Sequence, residues 1–138
     1  MTTSQLAAGY LQKCLDRMAA LEVLLSRKAF SDVVREAQEI VELALKGMLR
    51  AVGIDPPKWH DVGDLLLEYS SNFQPIAKSK LESLAAASKR LRKEREFSFY
   101  GDIDFIPTAE YDLEDANEAF TNAQQSTQAL SRVLKIIP

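Results

Sequence analysis

Cysteine and histidine occur once each, as Cys14 and His60. A lone thiol cannot close an internal disulfide, which suits a reducing compartment. One of each also falls short of the four His or Cys ligands of a structural zinc site. Neither a metal nor another cofactor is therefore expected. Long apolar runs are missing as well: none approaches the roughly 20 residues that cross a bilayer. The opening stretch, Met1 to Gln5, is polar and lacks the basic region of a signal peptide. These absences point to a cytoplasmic protein with no membrane association. Positive charge is not in excess either. A formal net charge of -3 argues against tight, non-specific nucleic-acid binding by the whole surface, but leaves room for a local basic face.

What is present is an ordinary globular composition, 46% hydrophobic and 27% charged over 138 residues. That length predicts one domain over residues 1–138, large enough to bury a core without staples. The only strand-like run, Phe97 to Phe105, is short and broken by Gly101. Elsewhere the apolar period is helical. Leu11, Cys14, Met18, Leu21 and Leu25 form one stripe on a first helix. Val33, Ala37, Ile40, Ala44 and Met48, flanked by Val34, Val41 and Leu45, form a wider stripe, as expected of a central helix. Gly53 is a good residue to stop it, and Pro56-Pro57 prevents continuation.

Asp61 is placed to cap a short third helix with Val62, Leu65, Leu66 and Tyr69 inside. Pro75 suits the start of a fourth helix, with Leu81, Leu84, Ser88 and Leu91 at core spacing and an end near Tyr100-Gly101. After a loop containing Pro107, Asp112 caps a fifth helix bearing Ala116, Phe120, Ala123, Thr127, Leu130 and Leu134. Its mostly small inward residues leave two readings open: it packs closely, or it is less stable than the other helices. The expected fold is all-α: an antiparallel up-and-down bundle of four helices plus a C-terminal fifth.

Few residues offer chemistry. His60 alone has an unperturbed pKa near neutrality, but it sits in a Pro56-Pro57-Lys58-Trp59-His60-Asp61 loop, where fixing the backbone is the simpler role. Trp59 beside it is either a partner-facing residue or a lid over the bundle's end. Cys14 lies on an apolar stripe and reads as core. The basic run Lys89, Arg90, Arg92, Lys93 and Arg95 is more informative. Lys89, Arg90 and Lys93 fit a solvated face. Arg92 lies at the edge of the Leu84–Ser88–Leu91 stripe and Arg95 on it. A guanidinium there must be paired or face a cleft. Two readings stay open for Arg95: a salt bridge to Glu36 or Glu96, or an anion-binding cleft near the helix end. Tyr100 either anchors that end or stacks on a base beside the arginines.

Three stretches together resemble the HEPN family of prokaryotic helical-bundle proteins. They are Ala37-Gln38-Glu39-Ile40-Val41-Glu42-Leu43-Ala44-Leu45-Lys46, running on to Gly53; Pro56-Pro57-Lys58-Trp59-His60-Asp61-Val62-Gly63 with Leu65-Leu66; and Arg92-Lys93-Glu94-Arg95-Glu96-Phe97-Ser98-Phe99-Tyr100-Gly101-Asp102. The resemblance implies the same helical fold and a tendency to homodimerise. It implies a small nucleotidyltransferase as partner, in toxin–antitoxin pairs, or else metal-independent ribonuclease activity. Ribonuclease members carry an arginine followed, after four to six residues, by a histidine that handles protons while arginine stabilises the phosphate.

Here the corresponding positions hold Phe97, Ser98 and Phe99 after Arg92, and Tyr100, Gly101 and Asp102 after Arg95. The arginine half of the motif is present and the histidine half is not. The favoured expectation is a homodimeric, non-catalytic module binding a nucleotidyltransferase, a nucleotide or RNA through Arg92, Lys93, Arg95 and Tyr100. The alternative is a ribonuclease with a variant site. Phe97, Phe99, Phe105 and Ile106 are expected at or near the dimer interface.

Overall fold

In the computed structural model, five α-helices carry the fold among the described residues. The structure describes residues 2–56, 58, 61–100 and 111–136, with 94–100 described in backbone only. Helix α1 spans Thr3–Ser26, α2 Phe30–Ala51, α3 Val62–Glu68, α4 Lys78–Tyr100 and α5 Leu113–Ile136, with a 3-10 turn at Ser70–Phe73. No strand occurs among the described residues. The part of the strand-like run that is described, residues 97–100, instead continues α4.

Local chemistry sets the helix ends. Thr2 and Gln5 form a capping box: the Gln5 amide donates to Thr2 Oγ1 at 3.1 Å, and the Thr2 amide to Gln5 Oε1 at 2.8 Å. Asp61 accepts from the Gly63 amide at 2.8 Å and starts α3. Asp112 and Asp115 cap α5 reciprocally, at 2.9 and 3.0 Å. Those contacts, the Asp115 amide first, hold the Asp112 carboxyl below its ordinary pKa. Helix α2 closes on Gly53 at φ +83°. The Gly53 amide donates to the Arg50 carbonyl and Ile54 to Leu49, the hydrogen-bond pair that a left-handed residue permits.

Two expectations are corrected at helix ends. Pro75 does not begin α4, which starts at Lys78. Phe73 and Ile76 are both buried, and the Ile76 amide donates back to the Phe73 carbonyl at 2.9 Å. That bond and that burial hold the proline in a turn. Tyr69 lies not inside but at the C-cap of α3, 36% exposed, because the chain leaves helical geometry there.

The contacts give helix directions. Arg17 meets Glu36 and Cys14 meets Ile40, so α1 and α2 are antiparallel. Arg90 meets Glu118, whereas Lys80 shares a groove with Arg132, so α4 and α5 are antiparallel. Gly47 of α2 touches Leu130 of α5 and Tyr10 of α1. A Cβ at Gly47 would lie 2.9 Å from both Leu130 Cδ2 and Tyr10 Cβ, so glycine permits this approach. Helix α2 is the central element, packing on α1, α3, α4 and α5. On α5 the buried face is Ala116, Ala119, Ala123, Ser126, Thr127, Ala129, Leu130 and Val133. These small side chains let α5 lie close against α2, while Phe120 and Leu134 are half-buried at the edges.

Candidate functional site at the end of α4

Four residues singled out in sequence, Arg92, Lys93, Arg95 and Tyr100, fall on one continuous helix, α4. No loop separates them, so their relative positions follow from the helical repeat alone. The stripe of Leu81, Leu84, Ser88 and Leu91 is buried and fixes the helix's rotation. Arg92, next to Leu91, is thereby carried to the edge of the α2 contact, and Lys93 turns outward and is exposed. The side chains of Arg95 and Tyr100, with those of Phe97 and Phe99, lie outside the described residues. So do Trp59 and His60 entirely, and Phe105, Ile106 and Pro107.

Arg92 crosses to α2. Its Nη2 donates to Glu42 Oε1 at 3.1 Å, and Glu42 Oε2 accepts from Gln38 Nε2, also at 3.1 Å. Gln38 is buried and Glu42 is 17% exposed, against 42% for Arg92. The carboxylate is therefore held at the interface by two donors, while the Arg92 side chain stays well exposed. Such a pair positions the arginine without exhausting its five donors. An anion arriving at Arg92 meets a planar donor fork already oriented, but shares it with Glu42.

Sequence reasoning missed Gln38 and Glu42. One signal was available: Gln38 interrupts the apolar face between Val34 and Val41, and a buried amide needs a partner, which i+4 spacing supplies in Glu42. Glu36, considered as a partner for Arg95, is held by Arg17 at 2.9 Å.

Arg90 points the other way, to Glu118 of α5 at 3.2 Å. It borders a groove of about 230 Å³ shared with Leu91, Tyr111, Asp115 and Asn122. Asn122 Nδ2 in that groove is buried without a hydrogen-bond partner among the described residues.

Cys14 offers no nucleophile. It is fully buried, its thiol faces the Ile40 carbonyl at 3.8 Å, and burial pushes its pKa from 9.0 up to about 11, against smaller lowering effects from Thr127 and Arg17. A thiolate is disfavoured in such surroundings. No cluster of three His, Cys, Asp or Glu suited to a metal occurs among the described residues. None of their helices is long and apolar enough to cross a membrane.

Comparison with known proteins gives one positive result: a family model described as HEPN domain matches residues 7–133. No curated protein and no solved structure gives a match.

Proposed function

The chain belongs to the HEPN family, and on that premise we propose that it is a non-catalytic, homodimeric interaction module acting in the cytoplasm. In this reading residues 1–138 form one domain. Its cleft at the end of α4 takes the phosphate of a nucleotide or RNA on Arg92, Lys93, Arg95 and Tyr100, and a nucleotidyltransferase is its protein partner in a toxin–antitoxin setting. The observation that carries the reading is the basic end of α4 without a histidine at the motif spacing. Arg92 and Arg95 are three residues apart on one helix, so both heads can serve one patch. The positions where ribonuclease members place histidine hold Phe97, Ser98, Phe99, Tyr100, Gly101 and Asp102. Binding survives that loss, because bidentate arginine–phosphate contacts need no proton transfer. Cleavage does not, because the leaving oxygen and the attacking hydroxyl lack their acid–base partner.

The test joins binding and cleavage. Single-stranded RNA incubated with the protein in EDTA should stay intact, while nucleotide or short RNA should bind and be weakened by Arg92→Ala and Arg95→Ala, with circular dichroism confirming the fold. Cleavage lost specifically in Arg95→Ala would replace this reading with that of a variant ribonuclease. Unchanged affinity in both variants would make the arginines scaffold. Light scattering at tens of micromolar checks the dimer; a monomer there removes that part.

A further inference from the structure

The α4–α5 seam has two ends with opposite electrostatic character. At the end formed by the C-terminal half of α4, Arg90 is matched by Glu118, with Asp115 beside it. At the other end, Lys80 of α4 and Arg132 of α5 line a groove of about 170 Å³ with Gln125, Gln128, Ile76 and Ala129. Among the described residues no carboxylate lines this groove. Arg17, Arg35, Arg50, Arg90 and Arg92 each hold a carboxylate, but among the described residues neither Lys80 nor Arg132 has one. Two cations thus border one concavity, on two different helices, in a protein whose net charge is -3. The floor is built: Ile76 and Ala129 are buried, and Lys80 and Gln125 are half-buried.

We propose that this groove is a phosphate-binding site, separate from the arginines at the far end of α4. Lys80 and Arg132 supply the charge, and the Gln125 and Gln128 amides supply neutral donors to the remaining oxygens. Like charges facing one cavity repel, and a bound anion relieves that repulsion. The volume selects the ligand's size. Pockets that enclose whole drug-sized molecules run from about 300 Å³ upward, so this groove takes a phosphate group and leaves any attached base outside. A phosphodiester strand satisfies that better than a free nucleotide. Lys80 and Arg92 lie twelve residues apart on α4, about 18 Å along the axis and about a third of a turn around it, so the two sites are distinct.

The experiment follows the Gln125 and Gln128 side-chain amide resonances of 15N-labelled protein. Sodium phosphate, a mononucleoside monophosphate and a short single-stranded oligonucleotide are titrated separately, against sodium chloride at equal ionic strength. Saturable shifts with phosphate but not chloride are expected. Lys80→Gln and Arg132→Gln should each weaken phosphate binding about tenfold, the loss of one charge-assisted contact, whereas the charge-matched control Lys13→Gln should not. Tighter binding of the oligonucleotide than of the mononucleotide identifies a strand as the source, and the reverse order identifies a free nucleotide. Identical responses to chloride and phosphate, or equal affinity in Lys80→Gln, Arg132→Gln and Lys13→Gln, overturn the proposal. Arg92→Ala is run alongside. If it alone weakens oligonucleotide binding, the α4 arginine cleft stands and this groove does not.

Discussion

Helix α2 is held differently on its two flanks. Toward α1 and α5 the contact is mainly small and apolar, through Ala7, Cys14, Leu21, Gly47, Ala123 and Leu130, all buried, with one ion pair, Arg17–Glu36, at the α1 edge. Toward the C-terminal half of α4 the contact includes a cross-helix ion pair, Arg92–Glu42, backed by the buried Gln38. The first kind of contact gains energy from close packing and from area removed from water, which added salt does not weaken. The second depends on charge, is partly open to solvent, and can be contested by another anion. The first flank thus rests mainly on packing, and the second in part on charge.

The largest effect should come from opening the packed flank. Leu130→Ala removes the side chain that meets Gly47 and should cost about 3 kcal/mol by urea denaturation, from lost burial plus an unfilled cavity. A cost below about 1 kcal/mol would mean that α5 repacks freely and that the two flanks do not differ as described.

A smaller effect tests the same flank through pH. Cys14 has its pKa raised from 9.0 to about 11 in the folded chain. Below pH 9 the thiol is protonated in both states, and its contribution is fully present. As pH rises from 9 to 11 the unfolded chain loses the proton first, so folding stability should fall by about 2 kcal/mol across that window. Cys14→Ala should flatten that part of the stability profile. An equally steep fall in the variant would assign the effect to lysines and tyrosines instead.

The smallest effect belongs to the charged flank. Glu42→Gln should cost about 1 kcal/mol at low salt, since Arg92 is well exposed and screening limits the pair. The difference from wild type should shrink in 1 M NaCl, where the Debye length is about 3 Å. The same variant should bind phosphate more tightly, because Arg92 no longer shares its fork with a carboxylate. Weaker phosphate binding in Glu42→Gln would show that Glu42 orients the arginine more than it competes for it.

The helices were legible because their signals are local. The Gly53 stop, the Asp61 and Asp112 caps and the stripe of Val33, Ala37, Ile40, Ala44 and Met48 each involve residues within a turn or two of one another, and each stands in the structure. Pro75 misled because a proline compatible with a helix start is equally compatible with the turn before one, and the burial of Ile76 decided between them. The surroundings of Arg92 were legible only in part. The placement of Arg92, Lys93, Arg95 and Tyr100 on one helix follows from spacing, but the partner of Arg92 does not.

What the sequence by itself determined is the helices of the described residues, their faces and most of their ends, because apolar period and capping act along a single stretch of chain. Only the tertiary structure decided that Arg92 reaches Glu42, fifty residues earlier, that Glu36 goes to Arg17, and that Gly47 sits against Leu130 of α5 and Tyr10 of α1. It alone set Lys80 and Arg132 on one groove that no carboxylate lines among the described residues. These pairings depend on how each helix is rotated and crossed against its neighbours. That is fixed by the joint packing of side chains from all of them, and no single segment encodes it.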